Sequence, residues 1–345
     1  MDITPTNNAL NTPKPQMCKF YRPMNMQNKF CKHYIDGLKD EAGFCDRPSQ
    51  FRCIEALKLH LPSVSQSAVK MFCHCRERYY KHYIQGITLR DEHLPLPIKC
   101  GSVWDAFMDL KVTNSSDRLD LDVYINKYQL YPEQIAKLQA LMRAYKDLGI
   151  ELHEGGETQY QVFHNAGDTT ITGYLDIAYE DSIAEVKLSA SPDFYTNLEN
   201  IHLQVGTYLM TNPEWECVDM LITRLPGLRT GNGKFSNESI EEYRLRVYSD
   251  IISRPSYYFI GYDRKMGRYG KRFYRGEFNF EGLEQTYHMV LKDMRHCIDN
   301  NLFYKNTLAC HVPGACEFLP YLKSGVISDT LYRYITPEEA IGGLR

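Results

Sequence analysis

The sequence predicts an α/β fold of the α+β kind, with helices in the front half and a compact sheet behind them. Three observations predict it. Apolar residues recur at helical spacing over 132–148, where Ile135, Leu138, Leu141, Met142 and Tyr145 share a face. The pattern then switches to strict alternation over 159–163, 169–177 and 183–188, broken by the turn sequences Asn165-Ala166-Gly167-Asp168 and Glu180-Asp181-Ser182. Helical spacing returns at 198–210, and a further strand pattern follows at 218–224.

Taken in order, residues 1–16 mix Asn, Thr and Pro without period and read as a disordered tail. Residues 17–61 form a short cysteine-rich module, with Cys18, Cys31, Cys45 and Cys53 and turn signals at Gly37 and Gly43. A polar linker over 62–67 leads into a helix predicted over 68–84, capped by Ser65 or Ser67 and carrying Val69, Phe72 and Tyr79 or Tyr80 on its apolar stripe. A second helix is expected over 103–110. Behind the sheet, residues 227–233 read as a glycine-rich loop, 254–275 as a basic and aromatic stretch, and 283–298 as a last helix before a cysteine-bearing tail.

Composition narrows the functional classes. With 345 residues, 43% hydrophobic and 24% charged, the chain can bury one sizeable core and a small appended module. Nothing approaches the eighteen apolar residues of a membrane span, and the polar start lacks a secretory apolar block, so no membrane partner and a cytoplasmic location are expected, a host cytoplasm if the chain is phage-encoded. A net charge of -3 gives no whole-molecule drive toward nucleic acid, so any DNA contact must be locally basic. Eleven cysteines without an export signal favour thiolates serving metals over disulfides.

The alternation places chemistry on one side of the hairpin. Leu175 and Ile177 share a face and Asp176 points the other way; across the turn, Ala184, Val186 and Leu188 are apolar while Glu185 and Lys187 point opposite. Two carboxylates on neighbouring strands suit Mg2+ or Mn2+, and an adjacent ammonium can orient a water or offset charge on a phosphate. The tripeptide alone is common, since Asp109 to Lys111 and Asp263 to Lys265 match it too.

Its context is more specific. Gly173-Tyr174-Leu175-Asp176, the turn, Ala184-Glu185-Val186-Lys187 and then Gln204 with Tyr208 one turn later resemble the RecB-like branch of the PD-(D/E)XK nucleases, including CRISPR-associated RecB-type exonucleases. Upstream, Ser65-Gln66-Ser67, Cys75 and Tyr79-Tyr80 look like that family's opening helix, and Gly101-Ser102-Val103-Trp104-Asp105 like its glycine-led helix, with Asp105 where a histidine usually stands. The resemblance implies a restriction-endonuclease-like core over 62–345, a mixed central sheet flanked by helices. It implies metal ligation by Asp176 and Glu185, with Lys187 as the catalytic lysine and Gln204 and Tyr208 supporting the site, while Asp105 is either a further metal ligand through oxygen or a surface or capping aspartate. Glu157 matches a recurrent acid of the preceding strand.

The cysteines leave alternatives open. Relatives often hold a [4Fe-4S] cluster on one cysteine near the opening helix and three near the carboxyl terminus; here Cys75, Cys310 and Cys316 resemble three of the four, with Thr307 or Leu322 where the fourth would stand. Cys73 or Cys297 can substitute, or zinc can be bound with His74 or His311, or the set is a remnant. Cys18, Cys31, Cys45 and Cys53 are a separate candidate Zn2+ quartet, or four buried thiols.

For DNA, Arg264, Lys265, Arg268, Lys271 and Arg272, interleaved with tyrosines and Phe273, suit either a single-strand track or a basic strand pair whose aromatics face the core, and Arg224 is a further candidate phosphate contact or a surface arginine. The resemblance thus implies a metal-dependent deoxyribonuclease, an exonuclease of recombination, repair or phage DNA processing. It would act on DNA with a free end or single-stranded character, beside recombination or replication proteins. The alternative is a DNA-binding or assembly subunit that keeps the nuclease fold.

Overall fold

The structure, a computed structural model, describes residues 64–113, 119–153, 155–231, 237–310 and 316–335. The expected tail and cysteine-rich module, with Cys18, Cys31, Cys45 and Cys53, lie outside the described residues, as does His311.

Along the chain run β1 Val64–Ser65, α1 Gln66–His74, α2 Arg76–Tyr79, a π turn Tyr80–Ile84, β2 Ile87–Leu89, α3 Leu96–Val112, α4 Leu121–Tyr128 and α5 Pro132–Asp147. The sheet strands β3 Glu157–Ala166, β4 Thr169–Ala178 and β5 Ser182–Ser189 follow, then α6 Leu198–Thr211 and β6 Cys217–Arg224. The remainder is α7 Ile240–Ser253, α8 Pro255–Tyr258, β7 Lys271–Tyr274, α9 Phe280–Asn300, α10 Leu319–Ser324 and β8 Tyr332–Tyr334. No described helix is long and apolar enough to cross a membrane.

The chain divides into two compact units. The first takes in the described residues up to 89, residues 165–172 and those from 284 onward. In it, β1 pairs in parallel with Ile171 and Thr172, and the Ser65 hydroxyl caps α1 by accepting from the Ala68 N–H at 3.1 Å. The single helix expected over 68–84 is instead broken at Cys75, whose backbone is extended at φ -158 and ψ 115. Its N–H closes α1 on the Met71 carbonyl and its own carbonyl accepts from Tyr79, so one residue ends one helix and opens the next. β2 and β8 form an antiparallel pair over a small cluster of Ile87, Phe318 and Tyr332.

The second unit, residues 90–164 and 173–283, holds the central sheet. β4 and β5 are antiparallel, β5 and β6 parallel, β6 and β7 antiparallel, and β3 pairs with β4 on a branch. The sheet is therefore mixed and flanked by helices, as expected. α3 begins at Leu96, earlier than the expected 103, with Pro97 in its first turn, where a missing N–H costs nothing. α7 is a helix beyond those expected; the capping box of Ser239 and Glu242 starts it, and Tyr243, Val247 and Ile251 at helical spacing bury one face.

Register decides which side chains meet. Glu185 lies opposite Met220, Lys187 opposite Ile222 and Ser189 opposite Arg224, while Met220 lies opposite Lys271. Residues directly opposed point the same way, so Glu185, Lys187, Met220, Ile222, Arg224 and Lys271 occupy one face. α6 packs on that face: Val205, Tyr208 and Leu209 share a core cluster with Met220 and Ile222.

Candidate active site

The site begins where the β4–β5 ladder ends. Ile177 pairs with Ala184 and Ala178 with Ile183, but at the next position Val186 donates its N–H to Oδ2 of Asp176 at 2.9 Å. The strand backbones part there, and the Asp176 side chain fills the opening.

Lys187 Nζ binds both carboxylates, Asp176 Oδ2 at 3.1 Å and Glu185 Oε2 at 2.8 Å. From α6, Gln204 Nε2 donates to Glu185 Oε2 at 3.2 Å and to the Tyr208 hydroxyl at 3.4 Å. Gln204 and Tyr208 are one helical turn apart, which puts both on the helix face turned to the sheet. All five residues expected at the catalytic centre from the hairpin onward are thus brought together.

The face is less open than strand alternation suggests. Glu185 is 1% exposed, covered by α6, and its Oε1 is buried with no hydrogen-bond partner. Burial, and then the neighbouring Asp176 charge, push its carboxyl up to about 7 against the pull of Lys187. Burial alone would lower Lys187, but Asp176, Glu185 and, more weakly, Asp105 hold its ammonium well above the ordinary lysine range. Burial, reinforced by Glu185, likewise keeps the Tyr208 hydroxyl protonated.

Asp105 sits on α3, which packs against β5, and it acts on Lys187 through its charge. Among the described residues no group of three or more Asp, Glu, His or Cys side chains gathers at metal-ligating range. The pair Asp176 and Glu185 nonetheless fits a hard divalent cation. A buried carboxylate oxygen without a donor, next to a second carboxylate, is the donor set such an ion takes. Glu157 opens β3 and is exposed.

The basic stretch does not form one strip. Arg264 and Lys265 sit on an exposed turn, and Arg268 closes its backbone bridge with Asp263. Lys271 and Arg272 alternate on β7: Lys271 Nζ donates to the Thr196 carbonyl at 2.6 Å, and Arg272 forks onto Asp219 at 2.8 and 2.7 Å on the other face. Tyr258, Tyr269 and Phe273 are core residues, leaving Tyr257 and Tyr274 exposed. That other face carries a cleft of ≈ 250 Å³ lined by Ala184, Asp219, Leu221 and Arg272. Arg224 ends β6 on the Glu185 face. Asp193, with Phe194 next to it in sequence, and Arg254 come from two segments distant from Arg224 along the chain, so short-range spacing does not connect them.

In the first unit Cys75, Cys310 and Cys316 line one small cavity, with Arg78, Lys81 and Leu322 among its other walls. Asn306 joins two of the thiols: its N–H donates to Cys75 Sγ at 3.4 Å and its carbonyl accepts from Cys310 Sγ at 3.7 Å. Neither Cys73 nor Cys297 lines the cavity, and Leu322 stands where sequence spacing would put a fourth thiol. Among the described residues, three thiols line this cavity.

No protein-family model matches this sequence, and no curated protein matches it. Among solved structures, the crystal structure of a candidate exonuclease from Eubacterium rectale is similar, at a TM-score of 0.41 and 13% identity, covering 84% of this chain and 96% of that one. A likeness at that level carries no argument about function.

Proposed function

We propose that the chain is a metal-dependent nuclease that hydrolyses phosphodiester bonds of DNA, acting from an end. The observation that carries the reading is the shared clamp: one ammonium held between two carboxylates, one of them buried with an unsatisfied oxygen. Such an arrangement is costly to fold unless a cation and a charged substrate complete it.

Asp176 and Glu185 are the residues that would hold Mg2+ or Mn2+, which when bound supplies Lewis-acid activation of a water and neutralises phosphate charge. Lys187 is held cationic by its partners, so it acts as a hydrogen-bond donor and not as a base. Its place is to orient the attacking water or to stabilise charge developing on the phosphate. Gln204 fixes Glu185 Oε2 from α6, and Tyr208 in turn receives the second Gln204 hydrogen. These two are positioning residues.

The test is digestion of end-labelled linear and circular DNA, single- and double-stranded, with Mn2+, Mg2+ or EDTA, beside Lys187→Ala. Loss of linear substrate only with metal, and only by the wild type, is expected. Equal survival of DNA with both proteins under every condition would sink the reading and leave a DNA-binding subunit.

A further inference from the structure

Arg224 lies on the same sheet face as Lys187, one strand over and two residues further along, about 7 Å along the strand at ~3.3 Å per residue and about 4.8 Å across to the next strand. Its guanidinium is set before any ligand arrives. Nε donates to the Tyr257 carbonyl at 3.1 Å, and the guanidinium carbon stands 4.3 Å from the centre of the Tyr257 ring. Arg254 flanks the same ring at 4.4 Å and is itself forked onto Asp250 at 3.0 and 2.7 Å. Tyr257 thus holds the Arg224 guanidinium, Arg254 packs on the same ring, and the Arg224 side chain remains 18% exposed on the side where Asp193 stands.

Among the described residues, the Nη end of Arg224 meets a single weak counter-ion. Asp193 approaches Nη2 at 3.8 Å, beyond hydrogen-bond range, and its side chain is 88% exposed. Asp193 begins a short 3-10 turn, Pro192–Thr196, whose next residue, Phe194, is 45% exposed. The turn is fastened from two sides and closed on itself: Asn200 Nδ2 donates to the Phe194 carbonyl, Lys271 to the Thr196 carbonyl, and within the turn the Thr196 hydroxyl to the Asp193 carbonyl. An exposed ring on a pinned turn, next in sequence to the residue that faces a prearranged guanidinium, offers an unpaired nucleotide a fork for its phosphate and a face for its base.

We infer that Arg224 and Phe194 bind the nucleotide next to the scissile phosphate, Arg224 by its phosphate and Phe194 by its base, so the strand that reaches the centre is single-stranded. The inference rests on the nuclease reading. Asp193 is then a place-holder that the phosphate displaces, which makes an unusual prediction: removing its charge strengthens binding.

Fluorescence anisotropy of the full chain with labelled oligothymidylate, and with a labelled hairpin duplex, in Ca2+ tests it. Arg224→Gln should weaken oligothymidylate binding on the order of tenfold and lower the salt slope by about one. Phe194→Ala should weaken oligothymidylate but not duplex. Asp193→Asn should tighten oligothymidylate several-fold. Arg224→Lys, which keeps charge but not the fork, should fall between wild type and Gln. Wild-type affinity in both Arg224→Gln and Phe194→Ala, weaker binding by Asp193→Asn, or no wild-type binding at all would each overturn the inference. A wild type that binds in this pattern but never cleaves with Mn2+ would fail the nuclease reading alone; one that cleaves while the variants bind unchanged would fail this inference alone.

Discussion

The Val186 N–H and the Asp176 carboxylate make a hydrogen bond of 2.9 Å at the point where β4 and β5 stop pairing through their backbones. One side chain thereby serves both the sheet and the candidate centre. The two duties can be separated. Asp176→Asn keeps an acceptor for Val186 but loses the charge, so stability should change little while nuclease activity falls by on the order of a hundredfold or more. Asp176→Ala loses both and leaves a donor unmet, costing a further ~1–3 kcal/mol. Urea unfolding beside a metal-dependent cleavage assay reads both.

Lys187 balances two negative groups in a covered place. Lys187→Met should abolish cleavage and destabilise the protein by roughly 3 kcal/mol, because two carboxylates are left facing each other without a cation. A double variant, Lys187→Met with Glu185→Gln, should recover much of that stability and none of the activity. Equal melting temperatures for the two variants would argue against the shared clamp.

Metal should stabilise the wild type. Binding only to the folded state at a hundredfold excess over the dissociation constant contributes about 2.7 kcal/mol. Mn2+ should therefore raise the melting temperature of the wild type and EDTA remove the gain. In Glu185→Gln the shift should be largely lost, which differential scanning calorimetry can follow without any nucleic acid.

Gly173 touches the site by having no side chain. A Cβ there would come within 2.5 Å of Cε1 of Tyr208 and 3.3 Å of Val162. Gly173→Ala must push the Tyr208 ring aside, at a cost of about 1–3 kcal/mol, and disturb the Gln204 bond to its hydroxyl. Reduced cleavage together with reduced stability is expected. Tyr208→Phe, which keeps the ring and drops the hydroxyl, should separate the two effects: near-normal stability with lowered cleavage.

The first unit should respond to mild acid through His82. Burial pushes its imidazole down to about 4, with the Glu317 charge opposing. The unfolded chain takes up the proton first, so stability is full above pH ~6.5 and falls as pH drops toward 4, by about 2 kcal/mol at pH 5. Urea midpoints at pH 7 and pH 5 should differ in the wild type and converge in His82→Gln.

What the sequence discloses follows from how local each signal is. The hairpin of β4 and β5, the helix α6 and the placement of Gln204 and Tyr208 are read from short-range period, and all stand where spacing puts them. The burial of Glu185 is not readable that way, since it depends on α6 covering a face that alternation alone leaves open. The parallel pairing of β5 with β6 is likewise a long-range fact. The break at Cys75 carries no glycine or proline to announce it, and α7 hides its apolar face between charged residues, although its capping box was there to be found.

The buried clamp also has an evolutionary consequence. Three ionic side chains packed against a helix are a burden on folding, and apolar residues of similar volume at such places commonly give an equally or more stable protein. A copy of this gene freed from selection for chemistry would gain by drifting toward Leu, Met or Gln at positions 176, 185 and 187. Selecting stable, inactive variants from a library at those three positions would retrace that drift, and would measure how much foldability the chain gives up to keep its centre.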